Sequence, residues 1–105
     1  MKAFPKTFTA TDEIYQVKSF TRGRVRVLAR LYASKLDLNN PRVHRRDKDF
    51  PVAWARNYGK GRVFYSTFGH TLESWDDPRM QKMWLEAIRW AMGMTSADVT
   101  PRPLR

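Results

Sequence analysis

Residues 51–68, PVAWARNYGKGRVFYSTF, constrain the fold more than any other stretch of the chain. Val52, Trp54 and Arg56 alternate with Ala53, Ala55 and Asn57. That period of two places the triplets on opposite faces of a strand. The second run, GRVFYSTF, is rich in β-branched and aromatic residues and fits a strand better than a helix. Between them, residues 57–61 (Asn-Tyr-Gly-Lys-Gly) form a glycine-bearing loop of hairpin length. The Gly-Lys-Gly sequence lacks the length and the following helix of a phosphate loop, so a hairpin turn is expected. The second strand runs out into Gly69-His70, then Glu73, Trp75, Asp76 and Asp77. A strand end that hands over to polar residues is where α/β sheets keep binding crevices.

The flanking segments supply more elements. Residues 13–18, EIYQVK, read as a short strand, and residues 19–23 as a turn. Residues 24–32, RVRVLARLY, read as a strand with Val25, Val27 and Ala29 on one face and Arg24, Arg26 and Arg30 on the other. Residues 33–49 read as a long polar connection broken at Asn39-Asn40-Pro41. About four strands are therefore expected. Downstream, Asp77 can cap a helix, Pro78 suits its first position and Gly93 can end it. Met80, Met83, Trp84, Ala87, Ile88 and Ala91 recur at helical spacing and predict an apolar stripe against the sheet. The division expected is one domain over residues 1–94 and a flexible tail over residues 95–105.

The chain of 105 residues has room for one modest domain. It has no cysteine, which removes disulfides, thiolate metal sites and thiol nucleophiles. No apolar run is long enough to span a bilayer, and residues 1–8 lack a signal-peptide core. A cytoplasmic protein is expected, with a leader on a longer gene product left open. The net charge of +10 favours polyanions. Yet the densest basic cluster, residues 44–49 (HRRDKD), is interrupted by acids and has no aromatic residue for base stacking. A solvated basic surface is expected, not a specific nucleic-acid face.

His70 is the sharpest candidate for chemistry. Gly69 lets the backbone turn, and Glu73 lies three residues on, within reach of the imidazole if the segment is helical. The plainer reading is a hydrogen-bonded structural histidine. Asp12, Glu13 and Tyr15 form a second cluster. Carboxylates and a phenol accept and donate hydrogen bonds to sugar hydroxyls. Asp12 and Glu13 point to opposite faces of a strand, so Glu13 with Tyr15 is the favoured pair and Asp12 the runner-up. Plainer roles are a turn cap for Asp12, a solvated Glu13 and a packed Tyr15. Trp75 either packs or stacks on a pyranose face, and Asp77 caps the helix. His44 and His70 are the only histidines and lie in different segments, so no metal site is expected.

The pattern PVAW-R-YGKGRVFYSTFGH followed by WDDPR resembles the C-terminal half of the ThuA-like (trehalose-utilisation) domain family. FTATDEIY, residues 8–15, resembles the same family's Asp-Glu-Ile-Tyr segment, and the two stand in the family's order. The resemblance covers residues 8–93. It implies a flavodoxin-like, class I glutamine-amidotransferase-like three-layer α/β fold, of which this chain would be the second half. His70 resembles the amidotransferase histidine, which also has a glutamate shortly after it. Without a cysteine, glutamine hydrolysis is not implied. What is implied is a role in using trehalose or a related disaccharide or oxidised sugar. His70 would be proton carrier, Glu73 its orienting partner, and Glu13 and Tyr15 would hold hydroxyls. A sugar is the expected partner, with no cofactor and with self-association or a missing first half completing the sheet. The competing expectation is a non-catalytic or truncated binding or interaction module, with a basic nucleic-acid-binding domain ranked below it.

Overall fold

The structure is a computed structural model that describes residues 3–104. Three strands, β1 (Arg26–Arg30), β2 (Pro51–Tyr58) and β3 (Gly61–Ser66), form an antiparallel sheet in the order β1-β2-β3. Two helices follow, α1 (Leu72–Asp76) and α2 (Pro78–Ala91). Single 3-10 turns at Arg22–Arg24 and Ala33–Lys35 flank β1. The architecture is α/β, with a sheet and a C-terminal helix. No helix among the described residues is long and apolar enough to cross a membrane.

The hairpin forms as its sequence dictates, with a tighter loop than expected. Tyr58 pairs with Gly61, leaving Gly59 and Lys60 as a two-residue turn. Gly59 has φ +57°, the left-handed value that a primed turn asks of its first central residue. The register sets Trp54 opposite Tyr65 and Ala55 opposite Phe64. Between β1 and β2 the pairing slips around Ala29, so β1 is irregular there.

The expected strand over residues 13–18 does not form, and the sheet has three strands instead of four. The segment's polar groups bond to side chains in place of a ladder. The Tyr15 amide donates to Thr67 Oγ1 (3.1 Å), and that hydroxyl donates to the Glu13 carbonyl (3.1 Å). Gln16 spends its side chain on the Arg42 carbonyl and the amides of His44 and Arg45. Ser19, at φ 53°, then turns the chain away.

Helix α2 begins and ends where its sequence signals stand. The Asp77 carboxylate accepts from the Arg79 amide, and Pro78 takes the first position. At the far end the Gly93 amide bonds to the Trp90 carbonyl and the Met94 amide to the Arg89 carbonyl. This is the Schellman pattern, and it needs the positive φ of Gly93 (79°). The buried stripe is Met80, Met83, Ala87 and Trp90, with Trp84 at its margin. Ile88 and Ala91, expected in that stripe, face solvent, and Trp90 takes their place. The helix is turned because Trp90 is the larger group, and Arg62 lies over its ring.

The core joins Phe4, Val52, Phe68, Met80 and Met83, with Phe8, Ile14, Leu31, Phe64 and Trp84 packed around them. A side chain as fully buried as Val52, Met80 or Met83 contributes roughly 1.5–3 kcal/mol by leaving water. Away from this core, Trp54 stacks on Tyr65 and Phe20 packs against Trp54 at a tilt, with the Arg45 guanidinium over Phe20. Residues 95–104, expected as a flexible tail, form no helix or strand but make defined contacts. Arg102 donates twice to the Val27 carbonyl of β1, and Arg26 donates to the Thr100 carbonyl.

Candidate functional site

The site grows from one turn. After β3 the chain passes through Thr67 and Phe68, both buried, and reaches Gly69 at φ +124°. Any side chain there strains the backbone and forces the Trp75 ring to shift. A Cβ would lie 2.9 Å from the Trp75 ring. Trp75 in turn donates its indole N–H to the Gly69 carbonyl (2.7 Å) and stacks on Trp84. Thr71 caps α1 by accepting the Ser74 amide, so the residues after His70 fold back at once.

Asp12 fastens the other side of this turn. Its carboxylate accepts from the amides of Gly69 (2.7 Å), His70 (3.0 Å) and Glu13 (2.8 Å), and from the Ser74 hydroxyl (2.5 Å). Burial, the largest single influence, pushes its pKa up, but the hydrogen bonds from Ser74, Gly69, Glu13 and His70 together outweigh it. The net shift is downward, and the group stays a carboxylate. All four donors hold the ionised form in place, so Asp12 is an anchor for the turn.

With the backbone held, the ring of His70 meets Glu13. Nδ1 of His70 lies 2.8 Å from Glu13 Oε2. Contact with a carboxylate assigns the Nδ1 proton to that hydrogen bond and leaves Nε2 facing outward. Both side chains are well exposed, at 61% and 44%. Such a pair orients the ring more than it stabilises the fold.

The residues singled out in the sequence are thus divided. Asp12, Glu13 and His70 come together, although 58 positions separate Asp12 from His70. Glu73 does not join them. It sits exposed in the first turn of α1 and makes no hydrogen bond or ion pair with any described residue. Tyr15 is half exposed and tied to Thr67 through its backbone. Trp75 is half exposed beside Gly69. Asp77 caps α2 and grips the Arg79 guanidinium with both oxygens, which lowers its pKa. His44 is remote from His70 in sequence, and its backbone is bound to Gln16. Among the described residues no group of three or more acids or histidines gathers as a metal site.

A model of one protein family, trehalose utilisation, matches residues 1–91. The chain belongs to the ThuA family. Searches of curated proteins and of solved structures found no match. The family match spans both halves of the site, from Asp12 and Glu13 to Gly69 and His70, as well as α2 of this ThuA chain.

Sequence reasoning missed Thr67, which binds the backbone of Glu13 and Tyr15, Ser74, whose hydroxyl donates to Asp12, and Gln16, which ties the ThuA site's segment to residues 42–45. Thr67 carried a signal, as a hydroxyl at a strand end where a ladder stops. Two clefts open elsewhere on the surface. One of about 490 Å³ is lined by Arg24, Arg56 and Asn57 with residues 97–101. The other, of about 280 Å³, is walled by Ile14, Gln16, Leu31, Leu36 and Phe50. His70 lines neither of these, and its side chain is 61% exposed.

Proposed function

We propose that this ThuA protein acts on trehalose or a related disaccharide or oxidised sugar by acid/base chemistry at His70. The observation that carries the reading is the 2.8 Å contact between His70 Nδ1 and Glu13. A histidine whose inner nitrogen is held by a carboxylate presents its outer nitrogen with a fixed direction and tautomer. It can then take a proton from a sugar hydroxyl or carbon acid and return it. In this reading Glu13 orients the ring, the role first given to Glu73. Tyr15 and Trp75 offer a hydroxyl and an aromatic face to a pyranose. Asp12 holds the turn that carries the ring. The order of the motifs supports the finer reading that this sheet and helix belong to the second half of a flavodoxin-like, class I amidotransferase-like architecture. A cytoplasmic location belongs to the same proposal.

The test is direct. Trehalose and its oxidised derivatives are added to the protein while the sugar and the His70 ring resonances are followed by NMR. Turnover that is lost in His70→Asn, with sugar-induced shifts at Trp75 retained, supports the reading. Turnover unchanged in that variant overturns it. The exposure of the His70 and Glu13 side chains, 61% and 44%, favours a second reading as a binding module without chemistry. Shifts at Trp75 and Tyr15 with no turnover by the native protein would select it.

A further inference from the structure

The two edges of the sheet differ. β1's outer edge is occupied, since Arg102 reaches across to the Val27 carbonyl with two donors. β3 lies at the other end of the strand order, and its outer edge makes no backbone hydrogen bond to any described residue. The usual protections are absent along it. Gly61–Ser66 contains no proline and no bulge. Its single charged residue, Arg62, is turned onto the Trp90 and Thr95 carbonyls at the end of α2.

Beside that edge α2 carries more apolar surface than the sheet covers. From Trp90 round through Met83, Met80 and Trp84 to Ile88 the apolar arc spans roughly 160°, against about 100° for a helix packed on one side, and Leu85 and Met92 extend it beyond Gln81, whose side chain donates to the Trp75 carbonyl. Ile88, Met92 and Leu85 are 53%, 70% and 50% exposed. The opposite flank is taken up, because Arg79 lies over Phe4 and Phe8 and donates to the Thr9 carbonyl. Trp84 packs edge-on against Phe64 of β3 and stacks with Trp75. The uncovered flank therefore looks out past β3, on the same side as the open edge.

We propose that a second copy of this chain docks here, β3 pairing antiparallel with β3 of the partner and α2 lying against its partner's α2. One twofold axis normal to the sheet satisfies both features at once. It joins two three-stranded sheets into one of six strands, and sets Trp84, Ile88 and Met92 of each copy against the other. Antiparallel α2 helices also bring the α1 end of one copy beside the C-terminal end of the other's α2. Glu73 and Asp76 stand at the first end and Arg89 at the second, and none of these side chains has an ion pair among the described residues. The charges are complementary across the axis. Two open strand edges and two such flanks cover on the order of 1,000 Å², the lower bound of a specific interface.

Sedimentation of the purified chain over a wide range of concentration tests this, with hydrogen exchange read at Arg62, Phe64 and Ser66, whose amides point away from β2. The expected result is a reversible dimer whose formation slows exchange of outward-facing β3 amides. Ile88→Lys, at a solvent-facing position, should raise the dissociation constant about tenfold or more by forcing a charge into the seam. Arg89→Glu should weaken the dimer, and Glu73→Arg with Asp76→Arg in the same chain should restore it. These surface changes leave the core untouched, and circular dichroism of the monomer checks that. A chain that stays monomeric at every concentration overturns the proposal. So does a dimer indifferent to Ile88→Lys, or one without added protection in β3.

Discussion

Gly69 and Trp75 lock each other: the indole N–H bonds to the glycine carbonyl at 2.7 Å, and the indole ring occupies the space a Cβ would need. Gly69→Ala should therefore destabilise by about 2 kcal/mol or more, from backbone strain at positive φ and the clash with the ring. Urea unfolding would show a lower midpoint at unchanged slope. Trp75 fluorescence should shift as its carbonyl partner moves.

Asp12 should give the protein a specific acid sensitivity. Its folded-state pKa lies below the ordinary value despite burial, because four donors hold the carboxylate. The stabilisation is present in full above the unfolded-state pKa and is lost as pH falls through the folded value. Stability of the native protein should drop between about pH 5 and pH 2. Asp12→Asn should be less stable at pH 7 and should lose part of that dependence. Unfolding midpoints measured across this range check both outcomes.

The two apolar sides of α2 separate by mutation. Met83 is 1% exposed, and Met83→Ala should cost about 2–5 kcal/mol through the cavity it leaves. Ile88→Ala should change the stability of the monomer by less than about 0.5 kcal/mol. Chemical unfolding of both variants at low concentration checks the contrast.

Glu13 should set the tautomer of His70. In the native protein, long-range ¹⁵N–¹H correlations should find the proton on Nδ1 in the neutral ring. Glu13→Ala should convert the ring to a mixture of the two tautomers with the fold intact. An unchanged spectrum would remove Glu13 as the orienting group.

The basic surface should bind polyanions at low salt by releasing counterions and lose them near physiological salt, without sequence preference. Arg22, Arg26, Arg45, Arg62, Arg79 and Arg102 all have intramolecular partners, so much of the positive charge is already engaged within the fold. Sequence-selective, salt-resistant binding lost on changing Arg45 and Arg46 would overturn this.

The hairpin, the caps of α2 and the place of His70 were legible because each is set by neighbours in sequence. Alternation, Gly59, Asp77-Pro78 and Gly93 all act within a few residues. The failures came where distant groups decide. Residues 13–18 have a strand's pattern, but the Thr67 and Gln16 side chains take their hydrogen bonds. Glu73 looked like the partner of His70 by proximity, yet Asp12 draws residue 13 to the ring from across the chain. Trp90 displaced Ile88 from the core because volume and the Arg62 contact set the rotation of α2, and spacing alone does not distinguish them.

The segment around Asp12 and Glu13 belongs to no strand and is fastened to the rest by the hooks of Thr67, Gly69, His70 and Ser74, by Gln16, and by the packing of Ile14 at the margin of the core. No ladder has to unzip for it to leave. Its detachment is a local opening with a free energy below that of global unfolding, and amides such as that of Tyr15 should exchange earlier than those of β2. The histidine would lose its carboxylate in that opened state while sheet and helix stay folded. The chemistry proposed for His70 can thus be switched off in a molecule that every probe of global structure would still report as native.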